Sequence, residues 1–113
     1  MKGIGVDIVE FTRIKAIKNK AKFVDKILSE KEKRFYMTLK NEKRQLEYLA
    51  GRWATKEAIY KAAPELCKGR NFNEFSILNS ESGAPYLDEP ASGKIMITLS
   101  HSNNYVVAFV VDI

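Results

Sequence analysis

One uninterrupted helical stretch, Glu42 to Ala63, constrains this chain more than any other feature. Asn41 marks a break before it. Pro64 closes it, because a proline has no amide to donate and its ring clashes with the preceding turn. The whole chain has 113 residues, which suits one domain, 1–113, and leaves no room for two ordinary ones. The long helix must therefore lie against everything else the chain can build.

What surrounds it changes character along the sequence. "GIGVDIVE" (Gly3 to Glu10) reads as an opening strand, with Ile4, Val6 and Ile8 alternating against Gly3, Gly5 and Asp7. Phe11 to Leu28 is a basic, broken amphipathic stretch. "SEKE" at Ser29 to Glu32 is a capping box, which predicts a helix start. After Pro64 the signals are strands: "FSIL" (Phe75 to Leu78), "SGAPYL" (Ser82 to Leu87), "KIMITLS" (Lys94 to Ser100) and "YVVAFVV" (Tyr105 to Val111). The short "HSNN" connection predicts that the last two pair as an antiparallel hairpin. One strand, then helices, then several strands predicts an α+β fold, a mostly antiparallel sheet packed on the long helix.

Composition excludes several classes. A 45% hydrophobic content supports a packed core. The 19 Lys+Arg against 14 Asp+Glu leave a net charge of +5, which favours an anionic partner. Cys67 is the single cysteine, so no internal disulfide or multi-cysteine zinc site is available. A lone thiol fits a reducing compartment, and no motif around Cys67 marks a nucleophile. Asp7, Glu10 and Arg13 interrupt any apolar leader core, and no run spans a bilayer. The expected setting is cytoplasmic.

Chemistry enters through misplaced charges. Stepping roughly 100° per residue from Leu46 puts Leu49, Tyr60, Trp53, Ala50 and Ala54 on one arc, with Glu57 near its centre and Lys61 beside it. Arg52 and Thr55 fall away from that centre. An ordinary Glu57–Lys61 ion pair at i, i+4 accounts for this pattern without any function. A second misplaced carboxylate, Asp7, sits in the first strand. Two such carboxylates can converge on one cation, and hard oxygen donors without a Cys or His cluster suit Mg²⁺. Mg²⁺ commonly keeps positions for water and substrate phosphates. Arg52, Lys56, Lys43 and Arg44 lie on the same helix, placed to bind phosphates or to keep it soluble. "GIGVD" lacks the third glycine and the βαβ context of a dinucleotide fingerprint.

"GIGVDIVEFTRI" and "EYLAGRWATKEAIYKA", followed in order by "GAPY" and "ITLSHSNNYVVAFVV", resemble the holo-[acyl-carrier-protein] synthases, the small bacterial 4′-phosphopantetheinyl transferases. The resemblance covers nearly the whole chain. It implies that 4′-phosphopantetheine passes from coenzyme A to a serine of an apo-acyl carrier protein, releasing 3′,5′-ADP, in fatty acid and lipid biosynthesis. It implies Mg²⁺, with Mn²⁺ as the alternative cation. By position it assigns Asp7 and Glu57 as metal ligands and catalytic residues, with Gly3 and Gly5 leaving room for the metal and its waters. Lys61 then acts near the phosphates. Coenzyme A contacts fall on Arg52, Lys61, His101, Lys43, Arg44, Gly83 and Pro85. Ala84 stands where relatives often carry a lysine. The general base stays open between Glu57, a metal-bound water and a group on the carrier.

The basic stretch supplies a docking surface for an acidic carrier. Arg13, Lys22 and their neighbours flank Ile14, Ile17 and Phe23. Arg13 matches a carrier-contacting arginine of the family. The resemblance also implies a homotrimer with active sites between subunits, and Tyr48 and Ile59, opposite the helix's main stripe, are compatible with extra buried surface. No nucleic-acid or membrane partner is expected. The competing readings are a metal-dependent phosphodiesterase or nuclease, and a basic RNA-binding module. The latter is disfavoured because Tyr105, Val107 and Phe109 read as a core face.

Overall fold

The computed structural model describes residues 1–113. Strand β1 (Gly3–Glu10) leads into helices α1 (Phe11–Lys15), α2 (Lys20–Ile27), α3 (Glu30–Thr38) and the long α4 (Glu42–Ala62). A short α5 (Pro64–Cys67) and a 3-10 turn (Phe72–Glu74) precede β2 (Ser76–Asn79), β3 (Pro85–Glu89), β4 (Ile95–His101) and β5 (Tyr105–Asp112). β1, β5 and β4 form one antiparallel sheet in that order, and β2 and β3 form a separate two-stranded ribbon. The α+β fold, the capping box at Ser29 and the β4–β5 hairpin agree with the sequence reading. Asn41 caps α4 by accepting from Arg44 N. Pro64 ends α4 and, at the first position of α5, costs that helix nothing, since no amide is needed there.

The sheet packs on α4 through its smallest residues. A Cβ added to Gly3 would lie 1.9 Å from Ala62 O, and one added to Gly5 would lie 2.1 Å from Ala58 O. The helix offers Ala54, Ala58 and Ala62 to meet them, all buried. Gly3 and Gly5 therefore admit the backbone of α4, not a metal and its waters as expected. The consequence is an inverted strand: Ile4, Val6 and Ile8 are 54%, 51% and 55% exposed on the far face.

The strand register extends that exposed face. Val6 lies opposite Phe109, and Phe109 opposite Thr98; Ile4 and Met96 both flank Val111. Tyr105, Val107 and Phe109 point this way, so they are not the core face expected of β5. That role falls to Val106, Ala108 and Val110, all buried.

The helix wheel also needs correction. α4 is covered on both sides through its middle, by the sheet on one and by α2, α3 and β2 on the other. Arg52, Thr55, Lys56 and Ile59 are all buried. Ile59 is fully buried and Tyr48 packs under Arg52 and beside Phe35, so neither offers surface for self-association. Lys56 neither binds phosphate nor keeps the helix soluble. Its ammonium donates to Ile27 O (2.6 Å), Glu32 Oε1 (2.5 Å) and Phe72 O (2.9 Å). Glu32 also accepts from the amides of Ser29 and Ile77, so the pair ties α2, α3, the 3-10 turn and β2 to α4. Burial pushes Lys56 down to about 8, against the pull of Glu32.

Candidate functional site

Asp7 and Lys61 meet where β1 crosses the last turns of α4. The glycine side of β1 faces the helix, and Asp7 continues that side with its carboxylate 20% exposed. Lys61 reaches over the strand. Its Nζ donates to Val6 O at 2.9 Å and lies 3.4 Å from Asp7 Oδ1. The ordinary Glu57–Lys61 pair is thus replaced by an ion pair between helix and strand. Close packing at Gly5 explains this: it brings β1 within reach of a lysine that would otherwise fold back along its own helix.

Glu57 lies one turn before Lys61 and is half-buried. Its Oε1 accepts from Trp53 Nε1 at 3.3 Å, and Oε2 has no protein donor. Glu57, Trp53, Phe23, Tyr60 and Arg70 line a cleft of about 720 Å³. No group of three or more His, Cys, Asp or Glu side chains is arranged to hold a metal ion. Asp7 on β1 and Glu57 on α4, one turn before Lys61, are the two carboxylates available beside this crossing, both hard oxygen donors. That set fits a Mg²⁺ that retains waters and substrate oxygens, and does not fit a structural zinc.

The basic stretch lies beside this cleft. The Arg13 guanidinium sits 4.7 Å from the centre of the Trp53 ring, and Phe23 meets the same ring edge-on at 5.3 Å. Lys22 is exposed and Ile17 half-buried. Ile14 is fully buried in the core and is not available for docking, because α1 turns it inward under the sheet end.

The remaining expected contacts spread widely. His101 is exposed at the end of β4, on the same sheet face as Asp7 by register. Gly83 holds a left-handed turn at φ +90, donating to Ser80 O, and Pro85 starts β3. Lys43 and Arg44 are exposed in the first turn of α4. Lys43 and Lys61 stand about 27 Å apart along the helix axis at the usual rise per residue, so one chain does not bring them together. Arg52 is buried instead of facing a ligand. It donates through Nη2 to Ile77 O (2.9 Å) and Asn79 Oδ1 (2.7 Å) and stacks on Tyr48. Cys67 is buried in α5, and burial pushes its thiol up to about 11, which suits no nucleophile.

Two site features escaped the sequence reading: the Trp53–Glu57 hydrogen bond and the buried Glu32–Lys56 pair. The first had a signal, since positions 53 and 57 are i, i+4 on a helix. The second joins residues 24 apart in sequence, and no local pattern announces it.

Comparison with known proteins places the whole chain in one family. Residues 3–110 match the model of the 4′-phosphopantetheinyl transferase superfamily. A holo-[acyl-carrier-protein] synthase of Acholeplasma laidlawii is 46% identical over 110 residues, covering 96% of this chain and 92% of the relative. One from Streptococcus agalactiae is 39% identical over 111 residues, covering 96% and 93%. Among solved structures, the Bacillus anthracis synthase in complex with CoA (3′,5′-ADP) is similar at a TM-score of 0.84 and 36% identity, covering 96% of this chain and 93% of that one. The Neisseria meningitidis synthase follows at 0.82 and 27%, covering 100% and 98%. A chain matched by the family model from its first strand into its last, and 46% identical to a holo-[acyl-carrier-protein] synthase over nearly its whole length, belongs to the 4′-phosphopantetheinyl transferase superfamily and, within it, to the holo-[acyl-carrier-protein] synthases.

Proposed function

We propose that this chain transfers 4′-phosphopantetheine from coenzyme A to a serine of an apo-acyl carrier protein, releasing 3′,5′-ADP. The observation that carries the reading is the Asp7–Lys61 pair between β1 and α4, with Glu57 one turn earlier on the same helix, in a chain of this family. The serine oxygen forms a bond to the β-phosphorus of coenzyme A as the bond to the 3′,5′-ADP oxygen breaks. The serine's proton is lost to a base that stays unassigned.

Asp7 and Glu57 hold Mg²⁺ on this reading, with Mn²⁺ as the alternative. When bound, the ion neutralises pyrophosphate charge and polarises the phosphoryl oxygens. Lys61 steadies charge that builds on those oxygens, and it is free to do so because its tether to Val6 O leaves the ammonium half-exposed. Arg13, Lys22, Ile17 and Phe23 receive the acidic carrier helix beside the cleft. Coenzyme A's nucleotide end falls to Lys43, Arg44, His101 and the turn at Gly83 and Pro85. Arg52 contributes through Asn79, where β2 leads into that turn.

The separation of Lys43 and Arg44 from Glu57 supports active sites shared between copies. The exposed face of Ile4, Val6, Ile8, Met96 and Phe109 supports self-association, as a homotrimer. The same face argues against the RNA-binding reading, because its strands place no Lys or Arg beside Tyr105 and Phe109. No helix is long and apolar enough to cross a membrane. The free Cys67 supports a cytoplasmic setting.

The test is intact mass of an apo-acyl carrier protein after incubation with the chain, coenzyme A and Mg²⁺. A phosphopantetheine-sized gain is expected, abolished by EDTA and reduced by about a hundredfold or more in rate for Asp7→Asn and Glu57→Gln. Absence of the gain across several acidic carriers would overturn the reading, and hydrolysis of nucleic acid by the same sample would replace it with the nuclease.

A further inference from the structure

Trp53 stands at the junction of two surfaces. Its ring face carries the Arg13 guanidinium at 4.7 Å and its edge geometry with Phe23 is near perpendicular, 75° at 5.3 Å. Its indole nitrogen donates to Glu57 Oε1 at 3.3 Å. An indole has one donor and no acceptor, so this hydrogen bond is the only one the side chain can give. The two aromatic and cationic contacts fix the plane of the ring, and the plane fixes the direction of the N–H.

Glu57 itself has little else to hold it. It has no ion pair, and its other oxygen has no protein donor. A glutamate on a helix has several staggered conformations, and holding one of them costs rotamer entropy. The indole bond selects conformers with Oε1 toward Trp53 and leaves Oε2 without a protein partner.

We propose that Trp53 is a positioning residue for Glu57, orienting its carboxylate toward a divalent cation from a ring that Arg13 and Phe23 hold in place. The inference rests on the reading of Glu57 as a metal ligand. Partners that orient a ligating side chain commonly shift metal affinity by about 10- to 100-fold when removed. A single, long, neutral-donor bond belongs at or below the lower end of that range.

Trp53 is the single tryptophan, so its emission reports on this site alone. The experiment has two arms. In the first, Trp53→Phe keeps the ring and its stacking but removes the N–H. Its half-saturating Mg²⁺ concentration for transfer is expected to rise about three- to tenfold, while KM for coenzyme A and for the carrier stays within about twofold of wild type. A purely structural ring would leave the metal requirement alone, and an unchanged requirement overturns the proposal. In the second arm, wild-type emission is titrated with Mg²⁺ in the presence of coenzyme A without carrier, so nothing turns over. A saturable change that disappears in Glu57→Gln supports the proposal, and emission indifferent to the metal overturns it. Wild type that fails to transfer in the first arm counts against the proposed reaction, while the second arm still decides the role of Trp53.

Discussion

Lys61 owes its position to a main-chain oxygen. Its bond to Val6 O, at 2.9 Å, is shorter than its approach to Asp7 at 3.4 Å, so the strand aims the ammonium and the carboxylate only steadies it. Replacing Lys61 by Met keeps the aliphatic stem along β1 and removes the charge. We expect kcat to fall by about a hundredfold with a thermal midpoint close to wild type, read by carrier-loading kinetics and calorimetry on one preparation. Lys56, five residues earlier, behaves oppositely. Its folded pKa is lowered to about 8 by burial, so between pH 8 and the ordinary lysine range the unfolded chain binds more protons than the folded one. Stability from this group therefore rises with pH across that window and is lost as pH falls through about 8. Cys67 and Tyr48, pushed up by burial, titrate in the same range with opposite sign, so the slope is read as the difference in urea-derived stability between wild type and Lys56→Met, at no more than about 1.4 kcal/mol per pH unit. The two lysines show what sequence can convey. Asp7 and Glu57 stand out because each interrupts an apolar pattern. Lys56 does not, because its cover comes from Glu32, Ile27 and Phe72, which only the tertiary fold assembles.

Between elements, the seam of β1 and α4 decides where Asp7 and Lys61 meet. Gly3 and Gly5 were legible as a small-residue face, but what fills that face was not. A strand pattern of Ile, Val and Ile opposite Gly, Gly and Asp gives no sign that the apolar side faces outward. The close approach of helix to strand inverts the usual rule, since only a face without Cβ atoms admits a helix backbone at this distance. The prediction is a contrast of two identical substitutions. Gly5→Ala sets a Cβ 2.1 Å from Ala58 O, a backbone atom that cannot turn aside. It should destabilise by about 3 kcal/mol and carry Asp7 away from Lys61, so activity falls beyond what lost folding explains. Gly51→Ala lies within α4, where an added Cβ meets nothing within 4 Å. It should stabilise by about 0.5–1 kcal/mol through helix propensity with activity retained. Denaturant midpoints of the two variants carry the comparison, and equal signs would mean that the seam is looser than its distances.

At the scale of the whole molecule, one chain leaves an apolar sheet face uncovered, and on the proposed reading it leaves the site unfinished. Glu57 and Lys61 lie in the last turns of α4, whereas Lys43 and Arg44 occupy its beginning, about 20–27 Å away along the axis. A helix of 21 residues cannot fold back to close that gap. A second copy can, and the face of Ile4, Val6, Ile8 and Phe109 gives the copies a reason to associate. Val6→Lys places a charge at the centre of that face, opposite Phe109. Because Val6 is 51% exposed in a single chain, the fold should tolerate the change while light scattering falls to the 12.9 kDa of one chain. Activity should fall with it. The sharper test mixes two inactive proteins, Glu57→Gln and the Lys43→Ala, Arg44→Ala double variant. If every site joins the end of α4 from one copy to the start of α4 from its neighbour, random reassembly in equal parts makes each half intact with even odds. About a quarter of the sites in such a symmetric ring are then whole, and the mixture recovers about that share of wild-type transfer. If the site were complete within one chain, no mixture of these variants would regain activity, and the exposed sheet face would have to serve a partner other than a second copy.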